Sequence, residues 1–142
     1  MSIKKTGSFG IGKAVRAYKL AKSSLPVVIA NNSKNHFSQG FRQSGGQTDA
    51  SRGGWQRRKK DPKGAQRGIL IGRKGGKMWK ALQVISSTFS KIEVGILGIA
   101  YAERHKEGLD GMPQREFLGK SAQLDSSNRK IILKELNDIF KR

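Results

Sequence analysis

The chain has 142 residues, enough for one domain with one modest core, and its 35% hydrophobic content leaves room for loop or arm outside that core. With no cysteine it has no disulfide framework and no cysteine-based metal site, and no apolar run reaches the roughly 18 residues that a bilayer crossing needs. Charge dominates: 29 Lys and Arg stand against 10 Asp and Glu, a net of +19, and residues 1–80 hold 19 of the basic and only 2 of the acidic side chains. A cationic N-terminal half joined to a nearly neutral C-terminal half points to a polyanionic neighbour, most often nucleic acid, or to an acidic protein partner.

Residues 1–10 are basic, contain Gly7 and Gly10, show no periodicity and carry no apolar run of the kind a secretory signal needs. In residues 11–22, Ile11, Val15 and Tyr18 recur at helical spacing. Ser23-Ser24-Leu25-Pro26 then reads as punctuation, with serine able to cap a new helix and proline tolerated in its first turn. Residues 1–24, with six basic and no acidic side chains, are thus expected to form a basic arm with a short helix, ahead of a single α+β domain at 25–142. The next helix is expected from Leu25 to Phe41, with the stripe Leu25, Val28, Ile29, Asn32, His36, Phe37 and Phe41. His36, remote in sequence from the other histidine, His105, is expected to be a boundary or hydrogen-bonded core residue.

From Gly40 to Gly76 the composition changes, with ten of the 18 glycines in this stretch. Eleven of the basic residues lie between Arg52 and Lys80, and Trp55 stands in the run GGWQRRKKDPKG. Residues 43–66 are expected to form a long loop projecting from the domain. Its cations Arg52, Arg57, Arg58, Lys59, Lys60 and Lys63 are candidates to face nucleic acid or an acidic partner. Trp55 can stack on bases, or it can anchor the loop to its own domain or to a neighbouring subunit, and the anchor is the favoured reading. Gly68–Gly72 (GILIG) reads as a short buried strand. GRKGGK at 72–77 superficially resembles a phosphate-binding loop, but Met78 follows Lys77 where that motif requires Ser or Thr, so no nucleotide site is expected.

A short helix about Gly76–Leu82 would turn Met78, Trp79 and Leu82 inwards. Residues 83–89 and 91–97 alternate β-branched residues around Ser90-Lys91 and predict a β-hairpin, with Gly95 and Gly98 marking a bulge or a close neighbour. Ile99–Gly108 predicts a short helix ended by Gly108, then a loop and a brief strand at Glu116–Leu118. A last helix follows Asp125-Ser126-Ser127-Asn128, its stripe Ile132, Leu136, Ile139 and Phe140 facing the sheet. The fold class is therefore α+β: a small antiparallel sheet packed by a long helix from the N-terminal half and a C-terminal helix, with a long basic loop.

Two segments carry a family resemblance. Tyr101-Ala102-Glu103-Arg104-His105-Lys106-Glu107-Gly108 matches a strand running into "Y-A-x-x-H-x-E-G", and Met112-Pro113-Gln114-Arg115-Glu116-Phe117-Leu118-Gly119 matches "M-P-x-R-x-F-L-G". Upstream, Phe37 and Phe41 precede a "G-W-x" basic segment at Gly54-Trp55-Gln56. Leu70 to Leu82 stands in the place of an "L-x-x-T-G-x-L-x-x-S-I" segment, with Ile71-Gly72-Arg73 where Asp-Thr-Gly is the pattern. In these features the chain, from about Leu25 to its end, resembles the phage virion morphogenesis, or tail completion, family of tailed bacteriophages. The resemblance implies a non-enzymatic virion protein at the top of the tail or in the neck, joining tail to head as a homo-oligomeric ring around the DNA channel. Its implied partners are copies of itself, neighbouring neck, connector and tail proteins, and phage DNA, with no cofactor, metal or membrane. Trp55, Tyr101, His105, Pro113 and Phe117 are the expected subunit or partner contacts. A basic RNA-binding protein of ribosomal type is the alternative. An enzyme is disfavoured because neither histidine has a nucleophile motif beside it, and His105 with Glu103 and Glu107 reads as a helix-surface charge cluster rather than a metal site.

Overall fold

A computed structural model describes residues 10–57, 70 and 77–141, with the backbone alone at residue 140. The fold is α+β, as the patterning predicts. Helix α1 (Ile11–Gln43) is followed by a 3-10 turn (Asp49–Ser51), helix α2 (Lys77–Lys80), strands β1 (Leu82–Ser87) and β2 (Ile92–Ile96), helix α3 (Ala102–Glu107), a second 3-10 turn (Leu109–Gly111) and helix α4 (Ala122–Lys141).

The two helices expected on either side of Ser23–Pro26 are one. Helix α1 runs through Pro26 without ending, so the expected arm and the domain share a single rod of 33 residues, about 50 Å long. Proline removes one helical amide, and a mid-helix proline costs about 3 kcal/mol in isolation. Here Pro26 is buried, so its ring packs against the fold while the helix continues. The Ser23 and Ser24 hydroxyls donate back to the Leu20 carbonyl instead of capping a new helix. The helix stops at Ser44, which takes a left-handed conformation (φ 58°), and the Gly45 amide closes the end by donating to the Gly40 carbonyl at 2.8 Å.

The hairpin forms where its alternation places it. Strands β1 and β2 pair antiparallel, and Thr88 and Lys91 exchange backbone hydrogen bonds across the turn. Between Val84 and Ser86 the register shifts, leaving Ile85 as the extra residue of a bulge. Gly95 has the close neighbour its sequence position indicates: a β-carbon there would lie 2.7 Å from Ile85 Cδ1. Trp79 of α2 donates from Nε1 to Ser38 Oγ at 2.6 Å, and Lys22 Nζ lies over the Phe89 ring at the hairpin tip. The hairpin therefore runs back along α1 from its C-terminal part toward its N-terminal part.

Helix α4 begins at Ala122, three residues ahead of the expected serine-rich start. Ser121 caps it, its Oγ accepting from the Leu124 amide at 3.2 Å. It packs along α1, where Asn32 Nδ2 donates to Ser127 Oγ and Asn128 Oδ1. Its covered side is Leu124, Asn128, Ile131, Ile132 and Ile139, whereas Leu136 from the expected stripe is exposed. The core gathers Phe37, Phe41, Trp55, Leu70, Met78, Leu82, Ala102, Phe117 and Leu124, with Trp79, Val94, Ile96, Ile99 and Leu118 against it. Leu70 is buried in a left-handed turn (φ 67°), not in an extended strand. The other residues of the expected Gly68–Gly72 strand lie outside the described residues. Residues 116–118 form no strand: the chain is irregular at Glu116 and bends from Phe117 to Gly119.

Candidate nucleic-acid interface

The segment after α1 was expected to project, but its described part, residues 44–57, is folded down onto the domain. Gly45, Gln47, Thr48, Ser51 and Trp55 are all buried. The reason is local polar chemistry, which leaves no apolar period. Thr48 and Ser51 form a reciprocal capping box around the 3-10 turn. Trp55 then turns its ring edge-on to Phe41, 5.6 Å between centroids, at only 7% exposure. Its backbone amide donates to the Ser44 carbonyl at 2.7 Å, which closes residues 44–55 into a loop.

What receives this loop is the run from Met112 to Ala122. The Trp55 indole Nε1 donates to the Glu116 carbonyl at 3.1 Å, and the Asp49 amide donates to the Lys120 carbonyl at 2.8 Å. The Asp49 carboxylate accepts from the Ala122 amide, the first residue of α4, at 3.1 Å. That bond holds the Asp49 carboxyl below its ordinary range, and the Arg52 guanidinium 3.2 Å away acts in the same direction. His36 joins the same seat: its Nε2 lies 2.7 Å from the Gln47 carbonyl, which can only accept, and 3.0 Å from Ser121 Oγ. It is a hydrogen-bonded boundary histidine, as its sequence position indicates.

Arg115 is the residue that sequence reasoning missed. It is 5% exposed, and its Nε donates to the Gln56 carbonyl at 3.1 Å while its own amide donates to the His105 carbonyl. It therefore ties helix α3 to the residue just before Arg57, where the cationic run begins. The available signal was period two: in the extended stretch before α4, Arg115 and Phe117 are both buried and Gln114 between Pro113 and Arg115 is exposed.

The expected site residues fall into three groups. Arg52 and Arg57 are exposed, Arg52 being paired with Asp49, and Arg58, Lys59, Lys60 and Lys63 lie outside the described residues. Trp55 and Phe117, expected at a subunit interface, are core residues of this chain. Phe117 is 4% exposed with its centroid 5.8 Å from Phe41, so neither ring is offered to a neighbour. Their large apolar areas find shelter against α1, the nearest apolar surface. Tyr101 is exposed and edge-on to His105 at 6.0 Å, and His105 and Pro113 are half-buried. Among the described residues, no group of three or more His, Asp or Glu is placed to hold a metal ion, and no helix is long and apolar enough to cross a membrane.

Family models, curated proteins and solved structures give no match to this chain. Some of the other described cations lie close to α1. Arg42, in the last turn of α1, stacks over the Trp79 ring at 5.2 Å, and Lys77 and Lys80 of α2 are exposed. Helix α1 itself carries six cations and no carboxylate. The arrangement supplies positive charge on a positioned backbone.

Proposed function

We propose that the chain is a non-enzymatic structural protein of a tailed phage, one that completes the tail and helps join it to the head as a ring around the DNA channel. The observation that carries this reading is the seat. The segment in which the chain resembles the tail completion family, Tyr101–Gly119, also fixes the root of the basic run, through Glu116 and Arg115 to Trp55 and Gln56. Family-like residues thus hold the loop that leads into Arg57, which suits a protein lining a DNA passage. Its place would be the virion, and its partners copies of itself, neck and tail proteins, and DNA.

Duplex binding measured against salt tests the electrostatic part. Each phosphate contact contributes about 0.9 to the slope of log K against log salt. Neutralising Arg52, Arg57, Arg58, Lys59, Lys60 and Lys63 together should flatten the slope by several units. An unchanged slope would exclude these residues from contact with DNA. A preference for structured RNA over duplex DNA at matched salt would favour the ribosomal alternative.

A further inference from the structure

We propose that the N-terminal part of α1 docks on the α3 corner of a second copy of this chain, in a head-to-tail contact; this rests on the ring reading above and names the surfaces that would build it. The first half of the interface is a stripe that the described residues leave exposed. Ile11, Val15 and Tyr18 share one side of α1 at i, i+4 and i+7, and they are 66%, 45% and 50% exposed. The buried positions of this part of α1 are Ala17 and Ala21, so the stripe lies on a different side of the helix from the one its own fold covers there. Large apolar side chains grouped in water on one helix face mark a protein contact.

Charge decides the occupant. Lys19 and Lys22 lie beside the stripe, one turn on from Val15 and Tyr18, and α1 has no acidic residue, so pairing of α1 with α1 of another copy would oppose like charges. A phosphate backbone would satisfy the cations and leave Ile11, Val15 and Tyr18 in water. The complement must be apolar and acidic together. This chain exposes such a surface at α3: Tyr101 and Leu109 are 44% and 45% exposed, and Glu103 and Glu107 stand one turn apart on the exposed side of the helix. Arg104 is engaged with Asp110 of the same corner at 3.5 Å, leaving Lys106 as its other cation. The two surfaces are different patches of one molecule, so the contact is heterologous, and repeating it closes a ring or extends a filament.

Charge reversal on each side tests the pairing, with mass measured on the full chain by analytical ultracentrifugation at physiological salt. The wild-type chain should assemble beyond a dimer. Lys19→Glu/Lys22→Glu and, separately, Glu103→Lys/Glu107→Lys should each give monomers with an unchanged helical circular dichroism spectrum. Mixing the two variants should restore assembly, because each supplies the surface the other has reversed. Val15→Ser/Tyr18→Ser should weaken self-association at least tenfold without touching charge. Variants that assemble like the wild type, or a mixture that stays monomeric, would overturn this interface while leaving the ring itself standing. A wild-type chain monomeric at every concentration would overturn both. An α1 reversal that abolishes duplex DNA binding but not assembly would also overturn it, assigning the face to polyanion.

Discussion

Gly45→Ala probes the seat at its tightest point. Gly45 has φ +109°, a conformation that residues with a β-carbon rarely adopt, and holding one there costs about 1–3 kcal/mol. A β-carbon would also lie 2.7 Å from the Trp55 amide nitrogen, 2.9 Å from Trp55 Cδ1 and 3.0 Å from the Gly54 carbonyl carbon, well inside the ~3.5–4.0 Å of ordinary carbon contacts. Overpacking of this kind adds about 1–3 kcal/mol. Two of the three atoms are backbone, held by the Trp55-to-Ser44 bond, so they cannot turn aside as a flexible side chain would. The expected loss is about 2–6 kcal/mol, or a fall of about 1 M or more in the urea midpoint. Two further glycines separate the causes. Gly98 has φ +74° but open space around it, so Gly98→Ala should cost only the backbone strain of about 1–2 kcal/mol. Gly53 has neither constraint, and Gly53→Ala should be neutral or stabilising by about 0.4–1 kcal/mol. The assay is urea unfolding followed by circular dichroism, with tryptophan emission reporting the packing of Trp55. A Gly45→Ala protein as stable as Gly53→Ala, with unshifted emission, would refute the close packing of Trp55 on the end of α1.

Other consequences follow from the same contacts. Phe117→Ala should cost about 3–5 kcal/mol in urea unfolding, since it empties a site against Phe41; a loss under 1 kcal/mol would mean that the ring is not core. Arg115→Ala should cost about 1.5–3 kcal/mol and speed proteolysis near Gln56, because it releases the carbonyl that precedes Arg57; limited proteolysis checks the second part. The Asp49 carboxyl is lowered in the folded state chiefly by the Ala122 amide. Its stabilising contribution is therefore complete above the ordinary carboxylate range and is lost as pH falls through the lowered value. Asp49→Asn should remove that part of the acid limb in urea midpoints taken as a function of pH. Because Asp49 already occupies Arg52, Arg52→Ala should flatten the DNA salt dependence less than Arg57→Ala.

The hairpin, helix α3 with its Gly108 stop, and the pairing of Phe37 with Phe41 were legible because each rests on side-chain pattern or backbone permissiveness. Gly108 caps α3 with φ 70°, as a terminal glycine should. The unbroken α1 was not legible, since Ser-Ser-Leu-Pro signals a stop and only the burial of Pro26 against the fold shows why the helix continues. The early start of α4 was hidden because Ser121 and the serine-rich run from Asp125 are equally good caps on paper. The seat was the least legible feature. Its acceptors are the carbonyls of Ser44, Gln56, Glu116 and Lys120, and a backbone carbonyl has no residue signature. Trp55 could be read as an anchor from its isolation among cations, but its partner, the carbonyl of Glu116, could not. Sequence kept Tyr101–Gly119 apart from Trp55 and Gln56, and the fold joins them.

The proposal that the chain is a virion protein is tested most directly by following it in density gradients of lysates from the cells that make it. The account predicts a fixed stoichiometry with virions and tails, and none with ribosomes. Recovery with ribosomal RNA, or from neither fraction, would contradict it.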